Sequence, residues 1–188
     1  MDDMLSLKKK LAKLLLERSY KEGHFTLASG RTSDYYFDCR VTALSAEGSW
    51  LIGRLFCALL APKNLAGVGG MTMGADPLVT ATTVLSHEMG TPLHGLLVRK
   101  KAKDHGTGQY VEGLANFKKG DRIAVLEDVI TTGGSVCTAC ERLADAGLVI
   151  DSICVILDRE EGGRAALEAK GYTVNALFTR NELLALGR

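Results

Sequence analysis

Residues 123–136 read IAVLEDVITTGGSV. Two adjacent carboxylates, Glu127 and Asp128, follow an apolar run and precede Val129, Ile130, Thr131, Thr132, Gly133, Gly134 and Ser135. These residue types suit different parts of one small molecule. Glycines let a backbone curl closely around a phosphate, and the hydroxyls of Thr131, Thr132 and Ser135 add donors. Carboxylates repel a phosphate, so Glu127 and Asp128 serve another part. They accept hydrogen bonds from vicinal hydroxyls, as on a ribose, or help hold Mg²⁺. A sugar with both a phosphate and free hydroxyls fits the whole string. Singly, the same residues also fit a helix cap and a strand-to-helix turn; the ordered string favours a ligand site. No GxxxxGK[ST] occurs, so this is not a Walker A loop.

A second cluster is cationic. Arg99, Lys100, Lys101, Lys103 and His105 fall within seven residues and are followed by Gly106 and Gly108. Such a cluster can close over a polyanion such as pyrophosphate and release it; a solvated basic loop is the alternative. Arg159 stands alone after an apolar run, where its planar fork can match a carboxylate in two-point fashion or pair with Glu160 or Glu161. Cys137 and Cys140 form C-x-x-C on a predicted helix with no second pair at zinc spacing, so they read as buried small hydrophobes. His24, His87 and His94 have no partners at ligand spacing.

The elements that position these groups follow from periodicity. Leu7, Leu11, Leu14 and Leu15 predict a helix over residues 3–18, with lysines on its other face. Residues 24–41 read as short strands around a loop. A helix is predicted from about Ser45 to Leu60, stopped by Pro62. Strands at LAGVGG, LHGLLVRK, RIAVLED and VIDSICVILDR then alternate with helices through ATTVLSHEMG and VCTACERLADAG. Alternation of this kind predicts an α/β fold, a parallel sheet with helices on both faces. The unbroken apolar character of IAVL and SICVIL fits strands buried on both sides. Ligands of such sheets bind beyond the carboxyl ends of the strands. The acid pair sits at one such end, and TTGGS opens the next helix, where free amides and the helix dipole attract an anion.

Composition bounds the rest. The chain has 188 residues, enough for one well-cored domain. A net charge of +1 argues against a nucleic-acid partner. The apolar stretch WLIGRLFCALLAP is broken by Arg54 and too short to span a bilayer, so no membrane partner is expected. Five cysteines do not suggest a disulfide framework, and the acidic start MDD lacks the pattern of a secretory signal. A cytoplasmic location is the expectation.

LEDVITTGGS resembles the phosphoribosyl-pyrophosphate (PRPP) motif of type I phosphoribosyltransferases. Three further segments, in the right order, resemble the orotate-specific branch of that family: FTLASGRTSDYYFDCR its N-terminal signature, RKKAKDHGTGQYVEG its mobile catalytic loop, and DREEGG its base-recognition loop. The resemblance implies a type I phosphoribosyltransferase fold: one domain over 1–188, with an N-terminal helix and small hood over 1–44, an α/β core over 45–158, and a segment over 159–188 returning to the hood. It implies an enzyme of pyrimidine biosynthesis that uses PRPP and orotate with Mg²⁺. PRPP would be bound by Arg99, Lys100, Lys103, His105 and residues 127–135, orotate by Thr131, Arg159 and the backbone near Tyr36 and Phe37. Lys103 and His105 would be catalytic, Mg²⁺ would be held mainly by PRPP, and the loop would be shared across a homodimer. The chain departs from the family pattern at Ala28, where relatives often have Lys, and at Thr72-Met73, where many have Tyr-Lys. Two other readings share the PRPP motif: a transferase acting on a purine or uracil, and a nucleotide-sensing regulator, which would need a basic nucleic-acid face or an added module.

Overall fold

The structure, a computed structural model, describes residues 3–26, 32–101 and 109–187. Lys103, His105 and Ala28 lie outside the described residues.

Helix α1 (Met4–Arg18) begins where the Asp3 side chain accepts a hydrogen bond from the Ser6 amide at 2.6 Å. Its predicted stripe is buried: Leu7, Leu11, Ala12, Leu14 and Leu15. Strands β1 (Tyr20–Thr26) and β2 (Thr32–Phe37) form an antiparallel pair of their own, the short strands expected here. A five-residue helix that the pattern did not predict, α2 (Cys39–Ala43), leads into α3 (Ala46–Leu60). Ser45 caps α3 through a 3.2 Å bond from the Gly48 amide, and Pro62 sits in the short 3₁₀ turn that ends it.

The core sheet has six strands in the order β5-β4-β3-β6-β7-β8. They are β3 (Gly67–Met71), β4 (His94–Val98), β5 (Val111–Glu112), β6 (Arg122–Ile130), β7 (Val149–Asp158) and β8 (Val174–Thr179). All neighbours run parallel except β4 and β5. Helices α4 (Asp76–Glu88), α5 (Gly134–Asp145), α6 (Gly163–Glu168) and α7 (Arg180–Gly187) complete the chain, and α7 packs on α1. Strand β5 lies where a loop is predicted, and residues beyond Asp158 supply the sheet's far edge, β8.

Strand pleating sends alternate side chains to opposite faces. Ala124 and Leu126 of β6 join a core with Leu11, Leu51, Phe56 and Leu78, from α1, α3 and α4. Ile123 and Val125 join the other core, with Val136, Cys140 and Leu143 from α5. Strands β6 and β7 are therefore covered on both faces, which is why their sequences carry no polar alternation.

Because five strands run parallel, the residues that follow β3, β4, β6, β7 and β8 emerge at one edge of the sheet. The strand β6 runs further than the sequence predicts: Glu127 and Asp128 are inside it, and it ends at Ile130. The cause is pairing, since Val129 and Ile130 still lie against Leu157 and Asp158 of β7. Helix α4 likewise begins five residues before ATTVLSHEMG, because Pro77 in its first turn has no amide to lose there.

Candidate active site

The carboxyl edge of the sheet holds a cavity of about 490 Å³. Its wall includes Tyr36 and Phe37 from β2, Thr72 to Gly74 after β3, Lys100 after β4, Glu127, Asp128, Thr131 and Ser135, and Arg159 after β7. The segments singled out in the sequence thus meet in one place.

Glu127 and Asp128 are adjacent in a strand, so they point to opposite faces of the sheet. Glu127 turns toward α5, where the Ser135 hydroxyl donates to its Oε2 at 3.2 Å. Asp128 turns toward the segment after β3: a Cβ on Gly74 would lie 3.0 Å from its Oδ1. The Val129 amide donates to that same oxygen at 2.8 Å. Burial pushes the Glu127 carboxyl up to about 8, and the charge of Asp128 adds to the rise. Burial raises Asp128 as well, although the Arg40 charge pulls it back.

The turn after β6 leads to α5, whose first turn has no side-chain cap. Gly133 has φ +80°, and a Cβ there would stand 3.0 Å from Leu167 Cγ. Only glycine takes that backbone without strain. The uncapped amides of Gly134 and its neighbours supply donors for an anion.

Arg159 is buried, with 7% of its surface exposed. Its Nε donates to Glu161 Oε1 at 2.8 Å, and its guanidinium lies 4.5 Å from the Tyr35 ring centre. Arg180 covers the same ring at 4.2 Å. The pairing with Glu161 is the structural alternative read in the sequence, and it coexists with a place on the cavity wall.

Some sequence candidates do not reach the cavity with their side chains. Ile130 packs into the α5-side core. Arg99 pairs with Glu112 at 3.3 Å. Thr132, Gly133 and Gly134 are not on the cavity wall, and Gly133 is buried. Cys137 and Cys140 are buried on α5, and burial pushes the Cys140 thiol up to about 12, as suits a packing role. Asp38, Arg40 and Tyr35 stand beside the sequence candidates without being among them. Asp38 holds Arg40 by two bonds of 2.8 Å, and both residues line the cavity. The D-x-R spacing was the only available signal.

A helix start without a side-chain cap, a buried acid pair and a guanidinium just after the next strand meet at one parallel-sheet edge, the arrangement expected of a type I phosphoribosyltransferase. No family model matches the chain. The orotate phosphoribosyltransferase of Thermosynechococcus vestitus is 47% identical, covering 98% of this chain and 97% of its own. A crystal structure of the Mycobacterium tuberculosis orotate phosphoribosyltransferase superposes with a TM-score of 0.81 at 37% identity, over 94% of this chain and 98% of that one. A structure of that enzyme in complex with PRPP gives 0.77 at 34% identity, again over 94% and 98%. The chain belongs to the orotate phosphoribosyltransferase family.

Proposed function

We propose that this chain transfers the 5-phosphoribosyl group of PRPP to orotate, giving orotidine 5′-monophosphate and pyrophosphate in pyrimidine biosynthesis. The observation that carries this reading is the convergence of the α5 start, the acid pair and Arg159 on one cavity. The first turn of α5, with Thr131 to Ser135, binds the 5′-phosphate. Glu127 and Asp128 accept hydrogen bonds from the ribose hydroxyls. Arg159 holds the orotate carboxylate, with Thr131 and the backbone near Tyr36 and Phe37 against the ring.

The ring nitrogen of orotate gives up its proton and bonds to C1 of the ribose, the C1–oxygen bond breaks, and pyrophosphate departs from the opposite face. The transition state has oxocarbenium character, so the protein's part is orientation and charge stabilisation. Arg99, Lys100, Lys103 and His105 neutralise the departing pyrophosphate, and His105 supplies a proton. Lys103→Ala lowers kcat far more than it weakens binding of the 5′-phosphate; an unchanged kcat removes Lys103 from this role.

Among the described residues no cluster of three or more His, Cys, Asp or Glu could hold a metal ion. The adjacent carboxylates Glu127 and Asp128 at the cavity fit Mg²⁺ bound chiefly through substrate phosphates. When bound, Mg²⁺ neutralises pyrophosphate charge.

Apolar exposure supports a homodimer. Leu44 is 74% exposed and Met73 65%, and both line a second cavity of about 670 Å³ next to the first. A second copy would bury them. No described helix is long and apolar enough to cross a membrane. The five cysteines are free and buried, as suits a cytoplasmic setting.

A spectrophotometric assay with PRPP and Mg²⁺ tests the acceptor. Loss of orotate absorbance is expected, with silence for uracil, hypoxanthine, guanine and adenine. Turnover of another base with silence for orotate would discard the assignment of Arg159.

A further inference from the structure

Arg99 and Lys100, which open the basic segment, and Tyr110, which follows it, form its two flanks, and one side chain from α5 grips both. The Nη1 of Arg142 donates to the carbonyl oxygen of Arg99 at 2.5 Å and reaches that of Lys100 at 3.5 Å. The same guanidinium lies 4.1 Å from the ring centre of Tyr110 on the returning chain. The two flanks also meet directly, through the Arg99 amide and the Tyr110 carbonyl at 2.8 Å. Arg142 and Tyr110 form part of the wall of a separate cavity of about 260 Å³.

A guanidinium suits this double task. Its N–H groups make charge-assisted bonds to carbonyls while its flat face rests on an aromatic ring. A lysine offers a point charge and keeps only part of the contact. Arg142 sits about two helical turns from the start of α5. A rigid helix therefore links the amides at the cavity to the backbone of Lys100, which lines that cavity.

We propose that Arg142 is a positioning residue that fixes the backbone of Arg99 and Lys100 relative to α5. It thereby registers Lys100, which lines the cavity, against the pyrophosphate of a ligand whose 5′-phosphate sits at the helix start. The inference rests on the PRPP reading above. It goes beyond that reading because Arg142 lies outside the wall of the active-site cavity.

The test compares the unaltered chain with Arg142→Met, Arg142→Lys and Tyr110→Leu. Steady-state constants are measured in both directions, and binding of magnesium pyrophosphate is measured by calorimetry, which needs no turnover. Arg142→Met should raise KM for PRPP and for pyrophosphate about fivefold or more, with orotate KM within about twofold. Arg142→Lys should recover part of the loss, and Tyr110→Leu should repeat the selective shift more weakly. Equal effects on orotate and pyrophosphate, or none on pyrophosphate, would overturn the proposal. If Arg142→Met does not fold, Tyr110→Leu decides, since it leaves α5 intact; an unchanged pyrophosphate affinity then rejects the clamp. An unaltered chain that binds pyrophosphate but does not turn over orotate would remove the functional reading while the calorimetry still judges Arg142. An unaltered chain that binds no pyrophosphate would remove both.

Discussion

Burial favours the protonated form of Glu127 over the charged one. The unfolded chain loses that proton near 4.5, whereas the folded chain keeps it to about 8. The folded state therefore binds more protons across that window, and stability falls as pH rises through it. Denaturant midpoints should drop between those limits, and Glu127→Gln should flatten the slope; parallel slopes for the two proteins would contradict this. If, as proposed, ribose hydroxyls donate to the charged form, PRPP binding near pH 7 should release a proton, detectable by calorimetry in buffers of different ionisation enthalpy. At Arg159 the expectation concerns one substrate. Arg159→Ala should raise orotate KM by about tenfold to a hundredfold, as expected for losing a charged hydrogen bond of about 1.5–3 kcal/mol. PRPP KM should stay nearly constant, and a normal orotate KM would exclude Arg159 as the base selector. Both the acid pair and Arg159 were legible as residue types in the sequence. Their surroundings were not, because Gly74, Arg40 and Tyr35 come from distant segments that only the fold brings near.

At the scale of elements, the start of α5 depends on Gly133. A side chain there meets both positive φ and the Leu167 contact. Gly133→Ala should cost about 1–3 kcal/mol, lowering Tm by about 2–4 °C for each kcal/mol. PRPP KM should rise as the amides lose their aim, and an unchanged Tm and KM would show that the turn tolerates a side chain. Alternating apolar runs revealed β3, β4, β6 and β7, most clearly where the strands are buried on both faces. Strand β8 and helices α6 and α7 escaped notice for physical reasons. Helix α6 has only six residues, too few for a periodic stripe, and β8 is an edge strand with mixed burial. The two-residue β5 is shorter than any pattern can mark.

For the whole molecule, net charge argued against a nucleic-acid partner and the broken apolar stretch against a bilayer span, but neither pointed to the surface on which copies would meet. The exposed apolar residues Leu44 and Met73 are far apart in sequence and become one patch only when α2 packs near α4. Leu44→Asp should leave the isolated fold intact, since the side chain is 74% exposed, yet shift sedimentation toward the monomer and reduce activity. An unaltered chain already monomeric at full activity would remove the shared-loop reading. The central claim is that orotate is the acceptor of the phosphoribosyl group. Phosphorus NMR of the unaltered chain with PRPP, Mg²⁺ and orotate tests it most directly. The account predicts that the PRPP resonances give way to pyrophosphate and one 5′-phosphomonoester in equal amounts, only when orotate is present. PRPP that persists with orotate, or is lost at the same rate without it, would contradict the account.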